Sequence, residues 1–448
     1  MLHTSIKRNF TKYVSLNVLG MVGLSCYILA DTFFISKALG TLGLAALNFA
    51  IPVYNIINGI GLMAGMGGGS KFTILKSQNE HEQANIIFTH SFAIGIIAGI
   101  IIALTGLLFS SPISSVLGAD HVALGITNIY LKTVLCFAPF FISNNILLAF
   151  VRNDNNPKLS MIAMLTGSFS NIILDYIFIY PMNWGMFGAA FATGLSPIIS
   201  IVILSFHFIM HKNQFKFTKC KIITSYIYSI LSLGISALIT ELSSGVVLIT
   251  FNLVISQLEG NLGVASYGII ANLALVIIAI FTGISQGIQP LLSNRYGLGN
   301  HGEVKHLLGY ALITAIIFSF LVYITSLINS DFLIAVFNSE HNMKLHDLAF
   351  MGIKLYFTGF FFAGVNIVIT TFFSAVENPK QAFIISIVRG FVAIIPLVFI
   401  FSSLLQMNGV WISFTVTEGI TTLLALFFLL CYYQSNHKKI NKEGAHTK

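Results

Sequence analysis

The sequence predicts an all-α membrane protein of about twelve transmembrane helices in two pseudo-symmetric six-helix lobes, and three observations carry that prediction. The chain is 56% hydrophobic and only 8% charged, whereas a soluble domain needs roughly a quarter of its residues charged. Hydrophobic windows of about 20 residues recur from Tyr13 to Tyr433. Inside a bilayer every backbone polar group must be satisfied within the segment, so runs of this length are helices and not barrel strands. The third observation is an internal echo. TLGLAALNFA (Thr41 to Ala50) returns as NLGVASYGII (Asn261 to Ile270), and NPK at Asn156, Pro157 and Lys158 returns at Asn378, Pro379 and Lys380. A nearly constant offset means that about half the chain is duplicated, and repeats of this size belong to secondary transporters, whose substrate site lies between the halves.

In chain order the spans fall at 13–37, 44–75, 86–110, 122–150, 158–180, 186–210, 226–257, 263–294, 304–328, 350–375, 380–404 and 409–433. The first run is longer than the core of a secretory signal and lacks a small-residue cleavage site, so it is expected to be retained. Span 2 carries the glycine run Gly59 to Gly69. Its GMGGGSK has no GK[ST] ending and sits in an apolar helix, which favours close helix packing over a phosphate loop. On the same span Asn48, Pro52, Asn55 and Gly59 recur at helical spacing, a face expected to line an aqueous cleft. Lys132 in span 4 and Lys354 in span 10 lie near the outer ends and can snorkel to the interface. The polar, basic stretch around His211 to Lys221 divides an amino-terminal lobe (1–211) from a carboxy-terminal lobe (226–448, with a short basic tail) through a linker at 212–225. Arg389 and Glu418 occupy neighbouring spans, where mutual neutralisation is expected. The phenylalanines from Phe357 to Phe401 offer an aromatic wall for flat organic cations, although lipid-facing filler accounts for most of them.

Charge sets the expected orientation. An even number of spans puts both termini on one side, and that side collects eighteen of the 23 basic residues, from Lys7 to Lys448 and including Arg152. The opposite loops hold mainly Asp120, Glu259, Asp331, Glu340 and Asp347, so the termini are expected in the cytoplasm. The net charge of +8 is then a topology signal, and nucleic acid is not needed to explain it. Cys26, Cys136, Cys220 and Cys431 are scattered, with no disulfide or zinc spacing.

An ionisable residue inside a span costs several kcal/mol unless it is paired, hydrated or used. Asp31 stands about 27 Å along span 1 and Asp175 about 26 Å along span 5, both from the basic side. Asn171 precedes Asp175 by one helical turn on the same face. Thr193, on descending span 6, returns to the level of Asn171. Two carboxylates, an amide and a hydroxyl at one depth suit a small hard cation or a shared proton; the competing reading is that the acids only pair with helix-packing donors. Glu241 in span 7 is open between a substrate or coupling role and a structural one.

These residues sit in recognisable runs. ADTFFISKALGTLGLAALNFAIPVYNIINGIGLMAGMGGGS, NPKLSMIAMLTGSFSNIILDYIFIYPMNWGMFGAAFATGLS and GNLGVASYGIIANLALVIIAIFTGISQGIQPLLS resemble the multidrug and toxic compound extrusion (MATE) family, prokaryotic branch, over nearly the whole chain. The resemblance implies a cation site in the first lobe on Asp31, Asn171, Asp175 and Thr193, the same four that depth groups, and these would be the metal ligands if sodium is the coupling ion. It also implies a monomeric, multi-pass plasma-membrane antiporter that expels amphipathic, often cationic, organic compounds against sodium or protons, with no other cofactor. Asn48, Asn55 and Glu241 are the expected substrate contacts. The chain departs from the family in having no proline midway along helix 1, where Leu16 and its neighbours stand, and in having Tyr176 where a proline often follows the helix 5 aspartate. A flippase for lipid-linked sugars in the same superfamily is the nearest alternative, and it would favour an arginine-lined cleft, whereas only Arg389 is counted inside a span. A membrane-embedded enzyme would need clustered acids or a His-acid pair, and a channel would need a filter loop or a ring of charge. None of these is visible.

Overall fold

A computed structural model describes residues 2–338 and 342–446; Glu340 and Lys448 lie outside the described residues. Thirteen α-helices run α1 Leu2–Ser77, α2 His81–Val116, α3 Leu124–Cys136, α4 Ala138–Asn153, α5 Pro157–Ile179, α6 Gly185–Ile209, α7 Thr224–Gly297, α8 His301–Ile328, α9 Ser330–Ala335, α10 Met343–Tyr356, α11 Phe360–Ala375, α12 Pro379–Ile387 and α13 Ile394–His446. Three of them reverse direction at one left-handed residue: Gly40 in α1, Gly260 in α7 and Gln406 in α13. The reversal is visible in side-chain contacts. Tyr27 and Tyr54 would lie about 40 Å apart on a straight helix, yet their hydroxyls are 2.7 Å apart. Across Gly260 the rings of Phe251 and Tyr267 stack at 5.2 Å. Among the described residues nine apolar segments are long enough to cross a membrane, counting α3 and α4 as one span bent by 48°. With the three reversals they make the twelve expected passes.

The echo in sequence is an echo in backbone geometry. Gly40 (φ 64°, ψ −151°) and Gly260 (φ 60°, ψ −149°) are nearly superimposable turns, and glycine reaches them without a Cβ penalty. Asn79 pairs with Gly299, and Asn155 with Glu377, at the same offsets and again with positive φ. The NPK repeats are helix starts. Asn156 and Asn378 hold matching non-helical dihedrals, with the following proline at the first helical position. Asn156 also accepts the Leu159 N–H at 3.3 Å, as an N-cap does.

Two buried apolar clusters organise the bundle, one from Ile35 to Ile230 and one mainly from Phe251 to Ala425. They exchange ends. Ile6, Phe10 and Val14 of α1 join the second cluster, and Ile230 of α7 joins the first. Helix 1 therefore begins at Leu2 and not near Tyr13, because Ile6, Phe10, Tyr13 and Val14 form an apolar stripe with a surface to cover. Its first arm reaches Gly40 without a proline or a non-helical residue. The stretch between α6 and α7 is non-helical and strapped to α2. Lys216, Thr218 and Ile223 donate backbone N–H groups to Asn85, Thr89 and His90, and Phe215 is buried among Phe72, Phe88 and Phe150.

Candidate cation site, cleft and inner seam

Asp175 and Asn171 lie one turn apart on α5, and α6 brings Thr193 against them. In the orientation that satisfies both ends of its amide, Asn171 donates to Asp175 Oδ2 at 3.0 Å and accepts from the Thr193 N–H at 3.3 Å. Thr193 Oγ1 donates to the Ala189 carbonyl at 3.0 Å, which leaves oxygen lone pairs free to face a cation. Asp31 comes in on the first arm of α1, close enough for its charge to act on Asp175. All four residues are buried, and Asp31 Oδ1 and Asp175 Oδ1 have no hydrogen-bond partner. The structure therefore brings together the four residues that depth had grouped. It adds Tyr130 of α3, buried near Thr193 and both carboxylates. Sequence reasoning missed Tyr130 because a neutral tyrosine in an apolar span carries no burial cost to flag it. The donors are all oxygens, and no cluster of three His, Cys, Asp or Glu exists among the described residues. Such a set suits a hard monovalent cation or a proton and not a soft transition metal.

The face predicted on span 2 runs along the second arm of α1 towards the first arm of α7. Near the middle of the bundle Gly59 abuts Leu238 and Glu241, and Asn55 lies against Gly245. Further along the same face Asn48 is exposed. Glu241 is half-buried beside Gly59 of the other half, and its side chain makes no ion pair or hydrogen bond among the described residues. Of the phenylalanines, Phe357, Phe360, Phe372 and Phe373 are core, and Phe399 is half exposed.

On the side of the termini the halves close on each other through glycines. A Cβ on Gly67 would collide with the Ile230 carbonyl, and one on Gly234 with the Met63 carbonyl. Gly283 and Gly287 of α7 meet Val18 and Val14 of α1 in the echoed arrangement. This accounts for part of the glycine run: its other members admit α4 at Gly61 and Gly65 and α2 at Gly68. Arg152, expected among the loop charges, is instead 2% exposed at the end of α4. It donates to Asn17 Oδ1 and Gln286 Oε1, both at 2.9 Å, and its Nε has no partner. One turn further along α7, Gln289 bonds both Asn153 and Ser70. Arg389, by contrast, is only partly buried. It pairs with Glu418 at 2.7 Å, and Asn366 holds the other carboxylate oxygen, so that charge is neutralised inside its own half.

A protein-family model described as MatE matches residues 18–177 and 223–400, one block in each half. The multidrug export protein MepA of Staphylococcus aureus (strain MRSA252) is 28% identical over 414 residues, which cover 90% of this chain and 89% of that protein. MepA of Staphylococcus saprophyticus is 25% identical over 418 residues, covering 93% and 91%. Among solved structures, a multidrug resistance MATE family transporter of the MOP superfamily in an outward-facing conformation superposes with a TM-score of 0.91. It is 22% identical and covers 97% of each chain, a likeness of fold. With family blocks on both halves and the same twelve-pass fold, the chain belongs to the MatE family, and it is a multi-pass membrane transporter and not an enzyme.

Proposed function

We propose that this transporter exports amphipathic, often cationic, organic compounds and drugs in exchange for sodium ions or protons moving inward. One observation carries the reading. Two buried carboxylates, Asp31 and Asp175, each keep an oxygen without a partner beside Asn171 and Thr193. A carboxylate at that depth costs about 2.5–3.5 kcal/mol on insertion scales, and a passing cation or proton supplies what the protein leaves out. The termini lie in the cytoplasm of a bacterial cell, by the excess of Lys and Arg at that end. The cleft between the halves, away from the termini, is then the outward mouth, and Asn48, Asn55 and Glu241 meet the substrate there. Transport proceeds by rocking one half against the other, so that the glycine seam opens as the mouth closes. The test is dye export from liposomes with sodium and proton gradients imposed separately. Acceleration by one gradient identifies the coupling ion, and export indifferent to both rejects antiport.

Glu241 gives a second, sharper result. Its unpaired carboxylate at the cleft floor attracts cationic substrates, so Glu241→Gln should weaken export of a quaternary ammonium dye by about tenfold, the scale of one partly desolvated charge contact. A neutral substrate should change little. Dose-response curves for one compound of each kind, at matched protein abundance, decide it, and an equal shift for both rejects the contact.

A further inference from the structure

Beyond the export reading, and resting on it for the two arrangements of the halves, we propose that the seam on the side of the termini holds an anion site that takes a phosphate group and, by joining the two halves, favours the arrangement in which that side is shut. Below the glycine contacts the seam widens into a cavity of about 530 Å³. Its walls come from both halves. Asn9 and Lys12 of the first arm of α1, Lys76 near the end of α1 and His81 at the start of α2 face Asn294 and Arg295 at the end of α7. No aspartate or glutamate among the described residues lines it.

The cations are set up to hold an anion. Lys76 and Arg295 are each braced by an acid outside the lining, Asp154 at 2.5 Å and Glu303 at 2.9 Å. Only the Nε of Arg295 is used by Glu303, so its terminal nitrogens remain for a ligand. The side chains of Asn9 and Asn294, partly buried, and of Lys12 and His81, exposed at the rim, make no hydrogen bond or ion pair among the described residues, so four further polar groups around one cavity are free to meet a ligand. The volume suits a small ligand, and the charge suits a phosphate monoester or diester. The cavity sits at helix ends, the level of lipid headgroups, where basic pockets between membrane helices take anionic lipid. Both an anionic phospholipid and free phosphate present that chemistry. A ligand that bridges the halves binds only while they are together, so its binding energy is added to the shut arrangement.

The test uses the full-length protein in phosphatidylcholine nanodiscs. One arm adds phosphatidylglycerol to the bilayer and reads retained lipid by native mass spectrometry; the other adds radiolabelled inorganic phosphate and reads scintillation proximity. Saturable binding is expected in at least one arm, and which arm saturates names the source. Lys12→Gln and Arg295→Gln should each weaken it about fivefold, the scale of one charge at this interface. Lys158→Gln, at the same end but outside the cavity, should leave it unchanged. Binding should also slow maleimide labelling of a cysteine placed at Ser70, which is buried in the seam. Lys12 has no partner to lose, so its substitution does not endanger the fold. The proposal is overturned if neither arm saturates, if Lys158→Gln weakens binding as much as Lys12→Gln, or if labelling at position 70 ignores occupancy.

Discussion

Asp31→Asn and Asp175→Asn are each expected to reduce drug export to the level of cells without the transporter while leaving its abundance in the membrane near normal. The two halves of that statement come from one piece of physics. Both acids are buried, and each leaves Oδ1 without a partner. An amide of the same shape removes the cost of an under-satisfied charge in a low-dielectric interior, so the fold gains or stays level. What is lost is the charge that a coupling cation must find. A structural acid would behave in the opposite way, because its removal would strand a partner and lower the yield. Resistance conferred in a drug-sensitive host, set beside immunoblots of membrane fractions, separates the two cases, and wild-type resistance from either variant would sink the coupling role.

The same substitutions test whether the repeat is functionally lopsided. By the echo offsets, Asp31 corresponds to Phe251 and Asp175 to Leu397. Phe251 is fully buried and stacks on Tyr267, which lies near Trp411, while Tyr356 stacks on Phe414 at 4.0 Å. Where the first half keeps buried, under-satisfied oxygens, the second places apolar and aromatic side chains. On the antiport reading the duplicated half is therefore expected to hold no second ion. In an Asp31→Asn, Asp175→Asn double variant, radiolabelled sodium binding and drug-induced proton release should both vanish, and survival of either unchanged would contradict this.

Much of this was readable in the chain because it depends on local chemistry. Apolar runs mark spans, NPK marks a helix start, and the echo marks two turns whose dihedrals agree to within a few degrees. Asp31, Asn171, Asp175 and Thr193 could be grouped by counting rise along helices, since charge at depth is costly wherever it occurs. Arg152 could not be placed that way. Counting put it at the end of a span, where arginine usually meets water, and the acceptors that bury it, Asn17 and Gln286, lie more than 130 positions away in sequence. The seam itself is a long-range fact of the same kind. The glycines of span 2 signalled that something approaches closely, but not that Ile230 and Gly234 of the other half are among the neighbours.

That seam yields the second large effect: Gly234→Leu is expected to abolish transport in a protein that still folds. At Gly234 the backbone lies against the Met63 carbonyl so closely that even a Cβ would overlap it. The neighbour is main chain in a helix and cannot rotate away, so the overlap can be relieved only by moving the halves apart. Overpacking of this kind costs about 3 kcal/mol or more, and that much bias shifts a two-state ratio by about a hundredfold. The rest of each half is untouched, so the protein should be held with this side open and not unfolded. The echoed contact makes the same demand of Gly287, which meets Val14 and the Tyr13 carbonyl. Gly309 has open space around its Cα and serves as the control. In a background without the four native cysteines, a cysteine at Ser70 should label rapidly in Gly234→Leu and Gly287→Leu, and slowly in Gly309→Leu. If Gly234→Leu exports drug at the wild-type rate, closure of this seam is not a step in the cycle.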